Sequence, residues 1–272
     1  MDPVASVGAW DRPIPPAPGP IRFARYAYGP NRLGYCGPDE AVELFQRATA
    51  GQGERTPSDR DAGADRKRLR ALERQFEGAY PYLELIARAN AIRDPLDARV
   101  VEAYWLGSSL SAQVRPAELG PSLESRFRPR LPGGAWRWLA SAAEAGSAPV
   151  HAFHVLDVFP KVGLLRTGEL DRVLEVMDAC RIRWGRVLEV DGDWLVVSVV
   201  PLELADGRLR LAAPRPERVR GWIDGQGFVD GVRPGDVVSI HWDWACERLD
   251  RRRLAALRRW TDHELEIANR TI

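Results

Sequence analysis

At residue 181 the hydrophobic period of the chain changes, and that switch limits the fold more than any other feature. Before it, apolar residues recur at spacings of three and four: Leu69, Leu72, Phe76, Ala79, Leu83 and Ile86 mark one amphipathic helical face. After it, Val187, Leu188 and Val190, then Trp194 to Val200, are β-branched and aromatic, and Asp191-Gly192 is a hairpin signal. Leu209 to Leu211, Val219 to Ile223 and Val237 to Ile240 give further strands, broken by Asp206-Gly207, Gly225 and Pro234-Gly235. Five or so short strands at this density predict a small OB-like barrel. Residues 250 to 269 return to helical spacing through Leu254, Leu257, Trp260, Leu265 and Ala268. The expected class is α+β: a mostly helical domain over 22–178, then a barrel with a C-terminal helix over 179–272.

Local signals refine the helical part. Residues 1–21 are rich in proline and glycine and read as a flexible arm. Asp39, after the Gly37-Pro38 breaker, is the expected N-cap of a helix carrying Val42, Leu44 and Phe45. Residues 51–65 hold no large apolar residue and predict a loop. Pro81 should bend or split the Leu69–Ile86 face. Asp94-Pro95 reads as a cap and first-turn proline, with Val100, Val101, Tyr104 and Trp105 inward. A further helix over Trp136–Ala145 should stop at Gly146.

Thirty-nine basic and thirty-eight acidic residues leave a net charge of +1, which gives no electrostatic pull toward nucleic acid or an anionic membrane. No run approaches the length of a membrane-spanning helix. Three scattered cysteines do not make a disulfide framework. The expectation is a cytoplasmic protein whose thiols are free to ligate metal.

The residues able to carry that chemistry are few. Cys180 and His241, sixty-one positions apart, frame the predicted barrel, and a thiolate with an imidazole suits iron, copper or zinc. Arg181, Arg183 and Arg186 either favour the thiolate or alternate away from it along a strand. Cys246 is a third ligand, a resolving thiol or an apolar strand residue. His151 and His154 share one face if their segment is helical, with Asp157 a turn further on, and make a second metal candidate or a packing pair. Cys36 lies in a turn before a helix and is either a reactive or a structural thiol. His263 reads as solvated. Trp242 and Trp244 shield the metal site or bind a partner.

Cys180, Gly185-x-Val187, Asp191-Gly192-Asp193, Pro234-Gly235-Asp236, His241 and Glu247 to Asp250 occur in the order of one family. Over about residues 179–270 the chain resembles the HypC-type chaperones of [NiFe]-hydrogenase maturation. Here the cysteine is internal and Trp184 stands where that family has proline. The resemblance implies a non-catalytic carrier for iron bearing cyanide and carbonyl ligands, held by Cys180 and His241. It implies a HypD-type maturation protein and the hydrogenase large subunit as partners. Two other functions stay open: a metal-dependent enzyme built on His151, His154 and Asp157, and an OB-like binding module.

Overall fold

The computed structural model describes residues 12–49, 59–131, 133–160 and 170–270. Helix α1 (Gly19–Arg32) opens with proline in its first turn and is buried along most of its length, through Phe23, Tyr26, Ala27 and Tyr28. It touches α2 (Ala41–Ala48), α3 (Asp59–Glu73) and, beyond α4 (Tyr80–Ala89), helix α5 (Ala98–Leu106). The short α6 (Ser109–Ala112), α7 (Pro116–Phe127) and α8 (Gly133–Glu144) follow. Next, α9 (His151–Phe153) runs into a π-helical turn over His154–Val158, and α10 (Leu170–Cys180) leads to the barrel.

Several local expectations need correction. Residues 59–65 belong to α3 and are not a loop, while 51–58 lie outside the described residues. The cap of α2 is Glu40, not Asp39, and Val42 points outward while Leu44 and Phe45 are buried. The cap of α5 is Asp97, which accepts from the Arg99 backbone N–H; Asp94 instead holds Arg70 through two hydrogen bonds. The Leu69–Ile86 face is fully buried as expected, but the break falls between Glu73 and Tyr80. Pro81 then sits in the first turn of α4, where its missing N–H costs nothing.

The barrel closes through β1 (Arg183–Asp191), β2 (Trp194–Val199), β5 (Arg215–Arg220), β9 (Trp244–Arg248) and β8 (Val237–His241), in that order around the sheet. Only β5 and β9 run parallel, and β1 pairs with both β2 and β8, which removes the free edges. Its interior is aliphatic: Val187, Leu195, Val197, Val219, Val238 and Ile240. The long crossing holds a hairpin of β3 (Leu202–Ala205) and β4 (Arg208–Leu211), turning at Asp206-Gly207, where both residues take positive φ. A smaller hairpin joins β6 (Trp222–Ile223) and β7 (Gln226–Gly227).

Helix α11 (Arg251–Ala268) is capped by Asp250, which accepts from the Arg253 backbone N–H at 2.7 Å. Its stripe packs on both sides of the seam, touching α5, α9 and β4. One apolar cluster runs from α1 and α5 through Trp184, Trp244 and Cys246 on the barrel's outer face, so the helices are seated on the sheet. No helix among the described residues is long and apolar enough to cross a membrane.

Candidate metal centre

Three chain segments end at one point on this seam. Cys180 is the last residue of α10, His241 the last of β8, and His151 the first of α9. The thiol and one nitrogen of each imidazole all lie within 4.8 Å of one another, the one such group among the described residues. The two imidazoles meet edge to face at 4.9 Å, with the Trp105 ring 4.7 Å from His151 and 5.6 Å from His241. A cavity of about 100 Å³ opens on the group, lined otherwise by Tyr104, Phe76, Trp242, His154 and Cys36 among others, with no carboxylate, lysine or arginine among the described residues.

His241 is aimed by a proline. Its Nδ1 donates to the Tyr26 carbonyl at 2.6 Å. In an unbroken helix that carbonyl would accept from residue 30, but position 30 is proline and has no N–H to give. Pro30 therefore frees a carbonyl inside α1, and the imidazole of the barrel strand takes it. Gly29 permits the approach, since a Cβ there would lie 2.6 Å from the His241 carbonyl oxygen. With Nδ1 committed, Nε2 carries the lone pair, and it is buried without a hydrogen-bond partner. A ligating histidine anchored through its other nitrogen on a backbone carbonyl has this arrangement.

His151 is held differently. Its Nε2 lies 2.9 Å from the Cys180 carbonyl, which can only accept, so Nε2 bears the proton and Nδ1 accepts from the Tyr104 hydroxyl at 3.1 Å. The same Nε2 is 4.0 Å from Cys180 Sγ. Ligation through Nε2 would give up the bond to the carbonyl, a cost of about 1 kcal/mol that a metal–imidazole bond exceeds. The carbonyl is available because α10 ends there. Its neighbour, the Ala179 carbonyl, accepts from the Trp242 N–H at 2.7 Å. The negative end of a helix thus faces the group and favours a cation.

Burial sets the protonation states. It pushes His151 down to about 4 and His241 well below its ordinary value, so both imidazoles are neutral donors at pH 7. It pushes the Cys180 thiol up, and a charge on Cys36 would push it further. A thiolate forms here only with a cation to compensate it.

Of the other candidates, His154 shares the cavity. Its segment is helical, its Nδ1 lies 3.4 Å from the Tyr82 hydroxyl, and burial pushes it down to about 3. Asp157 is buried outside the group. Cys246 is buried in the common core, its thiol donating to the Trp244 carbonyl at 3.5 Å. Arg181 is spent on Asp178 and the Val200 carbonyl, and Arg183 on Glu217 and the Trp242 carbonyl, so neither guanidinium activates Cys180. His263 donates to the Gly146 carbonyl. Trp244 is buried among Tyr28, Phe45 and Phe228, whereas Trp242 lines the cavity and stacks on Tyr35. From sequence, Pro30 carries no assigned role and Tyr104 reads only as an inward-facing helix residue. The spacing Tyr26-x-x-x-Pro30 was the only available signal for the freed carbonyl.

No curated protein and no solved structure matches the chain. Residues 15–272 match the model of a family described as "Family of unknown function (DUF6390)", and the chain belongs to that family.

Proposed function

We propose that the protein is a metal-handling carrier, in which Cys180 and His241 hold a soft or borderline metal unit and His151 is the third donor. One observation carries the reading: a thiol and two neutral imidazoles converge within 4.8 Å, one imidazole nitrogen being buried and unpartnered, in a cavity that no charged side chain among the described residues lines. Such a donor set, with no carboxylate in it, suits ions that prefer sulfur and nitrogen over hard cations. The opening of the cavity supports a cargo that enters and leaves.

The order of motifs from Cys180 to Asp250 supports iron bearing cyanide and carbonyl as that cargo, within [NiFe]-hydrogenase maturation. A HypD-type protein and the hydrogenase large subunit would then be its partners. Low-spin iron with such ligands needs few protein donors, and thiolate with imidazole meets that need. The test is an infrared spectrum of protein purified without oxygen from a hydrogenase-producing host. Cyanide and carbonyl stretches that disappear in Cys180→Ala support the reading. Their absence, with maturation partners co-expressed, removes iron of this kind as cargo.

A second reading rests on the ligand count. Two histidines and one cysteine without a carboxylate also form the donor set of trigonal copper sites. Metal analysis after anaerobic purification, with a thiolate-to-copper band in the visible, separates it from the first. An enzyme built on His151, His154 and Asp157 draws less support, because His151 is grouped with Cys180 and His241 and Asp157 is not.

A further inference from the structure

We propose that Cys36 is a fourth donor of this centre, the exchangeable ligand at its mouth, making the full set two thiolates and two imidazoles. The inference rests on the metal reading above and extends it to how the metal enters. Cys36 lines the same cavity as Cys180, His151 and His241; the residue is exposed through its loop, while its thiol is packed into the cavity, where burial pushes it up to about 12. The unpartnered Nε2 of His241, with His241 only 1% exposed, is the second feature of that cavity that calls for a ligand.

The loop is built to present this thiol. Asn31, buried at the end of α1, donates to the Cys36 carbonyl at 2.8 Å and to the Pro38 carbonyl at 2.6 Å. Gly37 takes φ +82° against Phe76, where a Cβ would come within 2.3 Å of the ring, so no other residue fits beside Cys36. On the barrel side, Trp242 sits at φ +58° in the two-residue turn between β8 and β9, a position costly for a bulky residue. Its ring stacks on Tyr35 at 4.0 Å, and Asp243 in the same turn takes two hydrogen bonds from Arg32 at 2.7 Å. Helical part and barrel are thus clasped at the mouth, and Cys36 is the thiol in that clasp, outside the three donors that already lie within 4.8 Å of one another.

The exchange needs no redox partner. An incoming divalent ion bonds first to Cys36 Sγ, whose proton goes to solvent as a water or donor ligand departs. Cys180 Sγ and His241 Nε2 then bond to the ion, the Cys180 proton leaving by the same mouth. Release reverses the order, so Cys36 is the last protein ligand to let go.

Cobalt(II), added under argon with a non-thiol reductant, is the probe. Its thiolate charge-transfer band counts sulfur ligands. The expected result is one cobalt per chain, a band about halved in Cys36→Ser, and loading and release slowed at least tenfold. Cys36→Ser replaces sulfur by oxygen at a loop residue on the cavity and should keep the metal-free melting temperature within a few degrees of the wild type. A band, affinity and loading rate unchanged in Cys36→Ser overturn the inference; if Cys180→Ser still abolishes binding, the metal reading stands. Binding that survives in Cys180→Ser, or no cobalt binding by the wild type, overturns both.

Discussion

Two buried polar clusters lie on the same seam between helices and barrel, and they are finished differently. In the first, Glu102 of α5 receives Arg22 at 2.8 Å, Arg253 at 2.9 Å and Arg252 at 2.6 Å. Arg22 also reaches Glu247 of β9 at 3.3 Å, and Glu247 accepts from Tyr26, whose hydroxyl lies 2.9 Å from Ser239. Every carboxylate there has a guanidinium, and the cluster ties α1, α5 and α11 to the sheet. The second cluster, Cys180, His241 and His151, carries no charge and leaves one nitrogen without a partner. A fold keeps an orphaned buried acceptor at a cost, and this one stands with a thiol and a second imidazole on an open cavity, which points to a ligand rather than to stability.

The largest expected effect breaks the first cluster. Glu102→Ala leaves Arg22 and Arg253 buried without their carboxylate, and should lower the unfolding free energy by about 3–5 kcal/mol in denaturant titration. Cys180→Ala in metal-free protein should be far milder, which makes it a usable control. Equal losses in the two would erase the contrast.

Acid sharpens the comparison. Buried neutral His151 and His241 bind protons only well below the unfolded value near 6.5, so the unfolded state takes up protons first. Stability from each is complete above about pH 6.5 and falls by about 1.4 kcal/mol per pH unit as pH drops toward 4. Buried Glu264, pushed up to about 8, and Glu73, also raised by burial, act with the opposite sign, losing stability as pH rises from about 4.5. In a Glu73→Gln, Glu264→Gln background the acid limb between about pH 6.5 and 4.5 should be carried by His151, His154 and His241, before the carboxylates held low by arginines such as Glu43 and Glu102 begin to protonate, and His151→Phe should remove its share. A flat acid limb in that background would mean the imidazoles are not neutral in the fold.

Pro30→Ala probes how the second cluster is aimed. It returns an N–H to compete for the Tyr26 carbonyl, so His241 loses its anchor. Metal affinity should fall about tenfold in a competition titration, about 1.4 kcal/mol, with little change in melting temperature. The smallest effect expected is that of Cys180→Ala on the metal-free fold, below about 1 kcal/mol, because the thiol makes only weak sulfur contacts, with His151 at 4.0 Å.

The barrel was legible because its signals are local. Alternating β-branched runs and Asp-Gly turns name strands and hairpins within a few residues, and the hairpin of β3 and β4 turns at the Asp206-Gly207 signal. Helix α11 was legible for the same reason. Helix α1 was not: Gly29, Pro30 and an aromatic-rich run hide its period, and burial on nearly every side leaves no polar face to set a phase. The caps of α2 and α5 were misplaced by one and three residues because several acidic residues compete there.

Cys180 and His241 were a pair from motif order, and His151 a candidate from its spacing to His154, but nothing in the chain joined His151 to that pair. The sequence by itself determined where the period changes, which strands and turns exist, and which few side chains can hold a soft metal. Only the tertiary structure decided that His151 completes the group, that the Tyr26 carbonyl orients His241, and that the nearby arginines are spent elsewhere. The physical reason is range. Propensity and hydrophobic period act over a few residues, whereas a ligand set depends on ångström distances between elements that packing alone brings together.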